Sequence, residues 1–457
     1  MKSFDEFIEI FQSRFWRKLK ETIVPFEEIP KGKAKKKFLK DFYENLQEKN
    51  YQPKSPREYI VFDKHNLVSR IVPTFEIQDY VVYFYCVKAL EPFIAETEDR
   101  IPGTFGGWTL SNGLRDGEKD EITELESQYL NSAPYGSDTS YNPLAWRRHW
   151  QQFQKLAYDY ANQTDFGYAL KFDIANFYDC INLNLLEEKI RTATTGADHY
   201  EDVSLLFHFL RQWNKPLEGY FPKTVGIPQD EIQDCSRILA NFYLRVFDNE
   251  MYKSCRKKKS KYLRYSDDMI LFCPSKKEAL SLIFYASKEL HKIGLNINSS
   301  KVDTFENREK FNEYWAFEIF ELLEDENIKD KKTLNEAVAL YFEKYQESPK
   351  RVSILRRLLA ADFEVLNKKN RSLLKNEYVN KEFLSNCDYR MMKKIYNKMN
   401  EESANHMVSL LTKLTFELNY NSFHYNYRKF REKVLKIDEL DIEKMFIESK
   451  IEELKLF

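Results

Sequence analysis

The chain has 457 residues, of which 31% are charged and 15% aromatic, and its acids and bases nearly cancel to a formal net charge of −1. This length predicts two or three structural units with a large core, and the balanced charge excludes a chain-wide basic surface, so any nucleic-acid binding must depend on local patches. The six cysteines contain no Cys-x-x-Cys pair, the N-terminus has no apolar signal region and no apolar stretch reaches the roughly 18 residues of a membrane span, so we expect a cytoplasmic protein without a membrane partner.

The N-terminal third predicts a β-hairpin followed by loops. Residues 58–64 and 67–72 are rich in strand-forming side chains and flank a short polar turn. They predict a hairpin that carries Lys64 and Arg70. The stretch 101–142, which contains several glycines and serines, predicts loops.

The central third predicts strands that alternate with helices. Residues 168–174 predict one strand, and residues 261–298 predict strand, turn, strand, helix and strand in that order. Ser275 and Glu278 have the spacing of a capping box, and Gly294 is expected to end the helix that begins there. This pattern predicts an α+β fold whose small antiparallel sheet is backed by helices on one face.

The last third predicts helices alone. All twelve glycines lie between Gly32 and Gly294, and only Pro349 follows Pro274. A long stretch without these residues, rich in leucine, lysine and glutamate, favours packed helices. Leucines recur there at near-helical spacing, at Leu355, Leu358, Leu359 and Leu366. We therefore predict an all-α helical array without a regular sequence period.

Three aspartates form the candidate reaction centre. Asp267 and Asp268 lie between the strand-like run 261–264 and the apolar run 269–273, which predicts a hairpin tip that presents carboxylates to divalent cations. Asp173 ends the apolar strand predicted at 168–174. Two Mg²⁺ ions about 4 Å apart need bridging carboxylates from separate strands, and these aspartates meet that requirement. An Asp-Asp pair taken alone is more often an exposed polar turn.

Five segments in order resemble the motifs of a reverse transcriptase. Residues 172–178 resemble the first catalytic motif of the palm, and residues 226–241 resemble the second. Tyr265-Ser266-Asp267-Asp268 resembles the third, and residues 294–298 with Lys301 resemble the fourth. Residues 70–73, followed by Gln78, are similar to the fingers motif of bacterial reverse transcriptases. Order and spacing agree over roughly residues 55 to 320.

The resemblance implies a right-hand polymerase with fingers and palm, and it implies roles for particular residues. Asp173, Asp267 and Asp268 would be catalytic and would hold two Mg²⁺ ions. The implied nucleotide-binding residues are Lys64, Arg70, Tyr178, Gln229 and Lys301. Lys64 and Arg70 would contact the triphosphate, and Lys301 would protonate the leaving pyrophosphate or balance charge.

The aromatic Tyr178 would crowd the sugar 2′ position and so favour deoxynucleotides. Two of these roles have plain structural alternatives. A solvated strand edge explains Lys64 equally well, and one of the neighbouring rings of Phe177 and Tyr178 is expected to be an ordinary core residue. The second motif also departs from the family, because Asp230 stands where the family usually has glycine.

The chain lacks the Asn-Ala-x-x-His and Val-Thr-Gly elements of the retron type. This absence and the helical last third together make the chain resemble the abortive-infection and other defence-associated reverse transcriptases of bacteria. This resemblance implies fingers and an N-terminal region at 1–165, a palm at 166–320 and an all-helical domain at 321–457 that replaces the thumb. It also implies antiphage defence by DNA synthesis, which is untemplated and primed from the protein itself in some members.

Two alternatives stay open. One is a retron-like reverse transcriptase that copies a partner non-coding RNA. The other is a non-catalytic nucleic-acid-binding oligomeric scaffold, against which the three intact acids speak. The expected partners are dNTPs and the DNA product, together with a non-coding RNA in the retron-like reading and further copies of the chain in an oligomer.

Overall fold

The computed structural model describes residues 2–11, 15–16, 19, 29–56, 58–63, 69–95, 101–105, 145–163, 165–214, 221–229, 235–324, 327–418 and 422–436. The chain divides into two compact units. The first comprises 1–59, 71–124 and 134–311, and the second comprises 60–70, 125–133 and 312–457. Within the described ranges, no helix is both long enough and apolar enough to cross a membrane. The three-part division at 165 and 320 stays a prediction.

The described elements before residue 95 are helices and a two-stranded hairpin. They are α1 (Phe4–Ile10), α2 (Lys33–Gln47), β1 (Glu58–Asp63), β2 (Ser69–Thr74) and α3 (Ile77–Ile94). The two strands form a two-stranded sheet, as the sequence predicts. Helix α3 buries Val81, Val82, Tyr85 and Cys86 on successive faces, so it lies inside the core of the first unit rather than on its surface.

The first unit contains a five-stranded sheet in the order β3, β5, β6, β4 and β7. Its strands are β3 (Thr104–Phe105), β4 (Tyr168–Phe172), β5 (Lys261–Tyr265), β6 (Asp268–Cys273) and β7 (Asp303–Phe305). β3 runs parallel to β5, and the other three pairings are antiparallel. The prediction of an antiparallel sheet is therefore wrong for β3, because a two-residue strand is too short to show an alternating pattern.

Helices cover both faces of this sheet. Those that follow α3 in the first unit are α4 (Ala145–Asn162), α5 (Phe177–Cys180), α6 (Leu183–Ala193), α7 (Tyr200–Leu210), α8 (Cys235–Lys257) and α9 (Lys276–Lys292). On one face, the Tyr262 hydroxyl of β5 donates to Asp248 of α8 at 2.8 Å. On the other face, the Tyr265 ring packs against Trp150 of α4 with centroids 4.9 Å apart. The prediction of helices on one face is wrong because β5 presents large side chains to both sides.

Only helices and turns occur in the described residues from 317 to 436. After α10 (Arg308–Trp315), these helices are α11 (Phe317–Leu322), α12 (Lys331–Leu340), α13 (Arg351–Leu358), α14 (Lys368–Tyr378), α15 (Lys381–Ser385), α16 (Tyr389–Lys398), α17 (Glu401–Glu417) and α18 (Ser422–Phe430). Their apolar faces share one core, which includes Leu355, Leu374 and Tyr378.

Asparagine and aspartate side chains start most of these helices. The N-cap side chains that accept a backbone N–H of the first turn are Asp330, Asn367, Asn380, Asp388 and Asn400. Each satisfies a donor that the helix itself leaves without a partner. The boundaries in this glycine-free region are therefore set by caps at the N-termini and not by glycine at the C-termini.

Candidate active site

The ends of two neighbouring strands bring the candidate aspartates together. β4 and β6 pair antiparallel with Phe172 opposite Met269, and Asp173 and Asp268 are the next residues at the same end of the pair. Asp173 is buried, with 4% of its surface exposed. Asp267 and Ser266 form the two-residue turn between β5 and β6 at that same end. The register of the sheet therefore clusters acids that are almost a hundred residues apart in the chain.

The two carboxylate oxygens of Asp173 have different surroundings. Oδ2 accepts a hydrogen bond from Nζ of Lys301 at 2.5 Å. Oδ1 is buried and has no hydrogen-bond partner among the described residues. A buried carboxylate oxygen without a partner costs free energy, which a cation bound to it would recover. Carboxylate oxygen is the donor that Mg²⁺ prefers, so this residue fits the implied metal.

Asp267 carries a perturbed carboxyl group. Burial raises the pKa of Asp267 above its ordinary value, and the negative charges of Asp268 and Asp173 raise it further, whereas Lys301 acts in the opposite direction. These charges repel one another, and a divalent cation would relieve the repulsion. No three His, Cys, Asp or Glu side chains converge into a complete metal cluster in the described part of the chain. Asp173 and Asp267 would therefore share the ion with oxygens from the substrate phosphates, as is usual for Mg²⁺.

Asp268 faces a lysine on the neighbouring strand. Its Oδ1 lies 2.9 Å from Nζ of Lys171, and 41% of the aspartate side chain is exposed. Lys171 stands two residues before Asp173 on β4, so both side chains project from the same face of the strand. Sequence reasoning missed Lys171, although this spacing was a signal that could have found it.

The turn that carries Asp267 is strained at Ser266. Ser266 has a φ of 56°, in the left-handed region that a side chain normally disfavours by about 1–2 kcal/mol. Glycine is the common residue at a turn position with positive φ. The Ser266 N–H donates to the carbonyl of Phe105 on β3 at 3.0 Å, so the edge strand that the sequence did not predict helps to hold the turn.

The described part of the second motif packs against the turn that follows Asp173. The Ile227 N–H donates to the Tyr178 carbonyl at 2.9 Å, and the Gly226 N–H donates to the Ile181 carbonyl at 2.8 Å. Gly226 has a φ of +90°, and a Cβ there would lie 3.1 Å from the Asp179 carbonyl oxygen. This position requires glycine, and it joins the two motifs by backbone contacts.

The rings at 177 and 178 differ in burial. Phe177 is 4% exposed and belongs to the core, whereas Tyr178 is only partly buried. Phe177 is therefore the core ring of the pair. Gln229 is also partly buried, one residue after Pro228, whose carbonyl accepts a hydrogen bond from the buried Ser236 hydroxyl.

The remaining predicted site residues are Lys64 and Arg70. Arg70 is on β2, but neither its side chain nor Lys64 falls within the described part of the chain, and the same holds for Asp230. The structure thus brings together Asp173, Asp267, Asp268 and Lys301. The nucleotide-binding roles of Lys64 and Arg70 stay predictions.

Comparison with known proteins identifies the class of this domain. Residues 130–325 match the family of reverse transcriptase (RNA-dependent DNA polymerase). This segment contains Asp173, Asp267 and Asp268. The segment that contains the three aspartates is therefore similar to RNA-directed DNA polymerases, which are nucleotidyltransferases.

The relatives include a bacterial enzyme. A stretch of 118 residues is 30% identical to Retron Ec83 reverse transcriptase from Escherichia coli, and it covers 25% of this chain and 35% of that relative. The chain thus matches about a third of the length of the curated relative. This similarity supports a bacterial type of reverse transcriptase.

Solved structures of telomerase also match. The telomerase of Candida albicans, solved with a fragment of telomeric RNA, has a TM-score of 0.35 at 12% identity, covering 89% of this chain and 68% of that chain. The apo telomerase of Candida tropicalis has a TM-score of 0.36 at 11% identity, covering 86% and 72%. TM-scores of this size support no conclusion about fold or function.

Proposed function

We propose that this protein is a Mg²⁺-dependent DNA polymerase of the reverse transcriptase type. The observation that carries the proposal is the convergence of Asp173 and Asp267 at one end of the sheet, where an Asp173 oxygen is buried and has no partner among the residues that the structure describes. The match of residues 130–325 to the reverse transcriptase family supports the same activity.

Each part of the site has a chemical task in this proposal. Two bound Mg²⁺ ions would activate the attacking hydroxyl and neutralise charge on the leaving pyrophosphate. Asp173 and Asp267 bind and orient the cations. Lys301, at 2.5 Å from Asp173, balances this charge or donates a proton from Nζ to the leaving group. Tyr178 and Gln229 border the nucleotide, and Lys64 with Arg70 holds its triphosphate.

The central test replaces each aspartate by its neutral isostere. Asp173→Asn and Asp267→Asn are expected to reduce Mg²⁺-dependent dNTP incorporation to background, because each removes a charged metal ligand while preserving side-chain volume. The matched control is Asp159→Asn, an exposed aspartate of α4, which should leave incorporation unchanged. Circular dichroism would establish that all three variants are folded. Synthesis retained by both active-site variants would contradict the assignment.

We further propose that this polymerase acts in bacterial antiphage defence, with an all-helical C-terminal region in place of a thumb. The resemblance to defence-associated reverse transcriptases supports this role, as does the helical content of the described residues beyond 316. In this form of the proposal the DNA is untemplated and primed from the protein. Mass spectrometry after incubation with dNTPs should then find a nucleotide adduct on the chain, and free-primed DNA without an adduct would contradict protein priming.

The retron-like alternative has its own support. The 30% identity to a retron reverse transcriptase favours templated copying of a partner RNA. RNA sequencing of the purified complex distinguishes the two candidates. One tightly bound RNA species would favour the retron-like enzyme, whereas a mixture of cellular RNA or none would favour the untemplated polymerase.

A further inference from the structure

We propose that Arg264 is a positioning residue that sets the orientation of Asp267 through the backbone of Ser266. The inference rests on the proposed polymerase function and adds a residue to it. Arg264 lies on β5, three residues before Asp267, and its side chain is completely buried on the face of the sheet that α8 covers.

The guanidinium of Arg264 is fixed by two residues of α8. Nε donates to Oδ1 of Asp248 at 2.7 Å, and Nη2 donates to Oδ2 of the same carboxylate at 2.6 Å. Nη2 also donates to Oδ1 of Asn241 at 2.8 Å. Asp248 is as completely buried as Arg264. A bidentate pair of this kind holds the planar guanidinium in one orientation.

The third nitrogen of the guanidinium reaches the catalytic turn. Nη1 of Arg264 donates to the carbonyl oxygen of Ser266 at 2.9 Å. The Ser266 carbonyl and the Asp267 N–H belong to one planar peptide unit. Fixing the carbonyl therefore fixes the orientation of the peptide plane between Ser266 and Asp267. This orientation in turn determines where the Asp267 side chain leaves the backbone.

The strain at Ser266 explains why such an anchor is needed. A left-handed residue other than glycine persists only where its surroundings over-determine it. Ser266 is held at its N–H by Phe105 and at its carbonyl by Arg264. The arginine is thus one of two polar anchors that the described residues provide for this strained conformation.

A buried ion pair is by itself weak evidence for a role in stability. Here the ion pair has a role that apolar side chains could not take, because it holds Arg264 so that Nη1 donates to the Ser266 carbonyl. The same carboxylate of Asp248 also accepts the Tyr262 hydroxyl at 2.8 Å. Tyr262 therefore offers a control: its loss weakens the buried network while leaving the bond to Ser266 in place.

The test uses the full chain with Arg264→Met combined with Asp248→Asn. The second change avoids an uncompensated buried charge, which could prevent folding, and it leaves an acceptor for Tyr262. We expect kcat for dNTP incorporation to fall on the order of 10²-fold, as for a comparable misplacement of a catalytic group, with KM for dNTP nearly unchanged. The Mg²⁺ concentration for half-maximal rate should rise. Tyr262→Phe should lower the unfolding temperature without changing that concentration.

A second-site change makes the test specific. Ser266→Gly, added to the Arg264→Met and Asp248→Asn background, makes the left-handed conformation accessible without an anchor. It should recover at least about tenfold in kcat, on the scale of the positioning loss. An arginine that only stabilised the fold would give no such rescue. Wild-type kinetics in the folded double variant, or a loss that glycine does not reverse, would overturn the inference.

Direct binding of Mn²⁺, followed by electron paramagnetic resonance, separates this inference from the proposed function. Affinity should weaken in the Arg264→Met and Asp248→Asn variant and recover with Ser266→Gly. If the wild-type protein incorporates no dNTP but Mn²⁺ binding follows this pattern, the polymerase proposal fails and the positioning role stands. If dNTP incorporation is normal and Mn²⁺ binding is equal in all variants, the positioning role is wrong.

Discussion

Tyr178 is the ring on which the proposed sugar selectivity depends. It follows the core ring of Phe177 and is only partly buried. Tyr178→Ala should raise the ratio of ribonucleotide to deoxynucleotide incorporation, on the order of tenfold or more, because the space beside the sugar is enlarged. The measurement is kcat/KM for each nucleotide. Tyr200→Ala, at a 72% exposed ring of α7, is the control, and an equal ratio in both variants would count against the role.

Asp79 gives the stability of the protein a defined pH dependence. It is 1% exposed, and its Oδ1 accepts the Tyr51 hydroxyl at 2.6 Å. Burial raises the pKa of Asp79 to about 6, against the action of its hydrogen bonds. The folded state thus binds this proton more tightly than the unfolded state, in which the pKa of an aspartate is about 4. The stability of the protein therefore falls as the pH rises from about 4 to about 6.

Asp79→Asn removes the titrating group and keeps its shape. The difference between its free energy of unfolding and that of the wild type should increase from about pH 4 to pH 6, in favour of the variant, by up to about 3 kcal/mol. Urea denaturation at a series of pH values measures the difference. The exposed Asp159→Asn serves for comparison, and parallel curves for Asp79→Asn and wild type would show that the buried carboxyl does not titrate as expected.

Single residues of the candidate site differed in how far the sequence could identify them. Asp173, Asp267 and Asp268 were predicted because acids at strand ends leave a local signal. Lys171 was missed although its spacing from Asp173 was a local signal, because its role depends on the contact with Asp268 across the strand pair. Arg264 was missed because its role depends on contacts with α8, which no local pattern contains. The burial of Phe177 rather than Tyr178 likewise required the tertiary packing.

At the level of elements, a substitution beside β3 would test how this edge strand supports the turn formed by Ser266 and Asp267. Gly103 precedes β3 with a φ of +86°, and a Cβ there would lie 2.5 Å from the Tyr262 carbonyl oxygen. Gly103→Ala should displace β3 from β5. Gly196→Ala is the matched control, since its φ is +85° and nothing lies within 4 Å of the added Cβ.

Both alanine variants strain the backbone equally, so their difference isolates the steric clash. Gly103→Ala should lose about 1–3 kcal/mol more in the free energy of unfolding than Gly196→Ala, the range typical of overpacking. Chemical denaturation measures both. Equal losses would mean that β3 shifts without cost and contributes little to the turn.

The sequence predicted those strands and helix ends that depend on neighbouring residues of the chain. The β5 and β6 hairpin forms as predicted, and α9 ends before Gly294, which has a φ of +76°. Other details differ. The Ser275 hydroxyl bonds the Glu278 carboxylate instead of the helix backbone, and the strand predicted at 295–298 is reduced to one bridge between Ile174 and Ile297. The partner of the Ser275 hydroxyl and the extent of strand pairing at 295–298 both depend on tertiary contacts that sequence patterns do not specify.

For the molecule as a whole, the two hydrophobic cores are the main feature. One surrounds α3, α8 and the sheet, and the other joins the helices beyond residue 315. Leu374 and Leu239 are completely buried, one in each core. Calorimetry should therefore resolve two transitions, and Leu374→Ala should destabilise only the C-terminal one, by about 2–5 kcal/mol.

Leu239→Ala is the reciprocal variant and should shift only the transition of the first unit. A single transition that both substitutions lower equally would show that the two cores unfold together. The glycine distribution predicted a helical last third, but not where its helices begin, because those boundaries depend on asparagine and aspartate caps.

Each of two lysines forms an ion pair with one of the aspartates at the proposed metal site. Lys171 and Lys301 give Asp268 and Asp173 positive partners within the chain itself. A small zinc module, by contrast, needs its ion in order to fold. The charges of Asp173 and Asp268 are balanced in part without a cation, so we expect the protein to stay folded under chelation. In the proposed polymerase, an arriving cation competes with two ammonium groups, so we expect DNA synthesis to depend on the free magnesium concentration and not on a permanently bound ion.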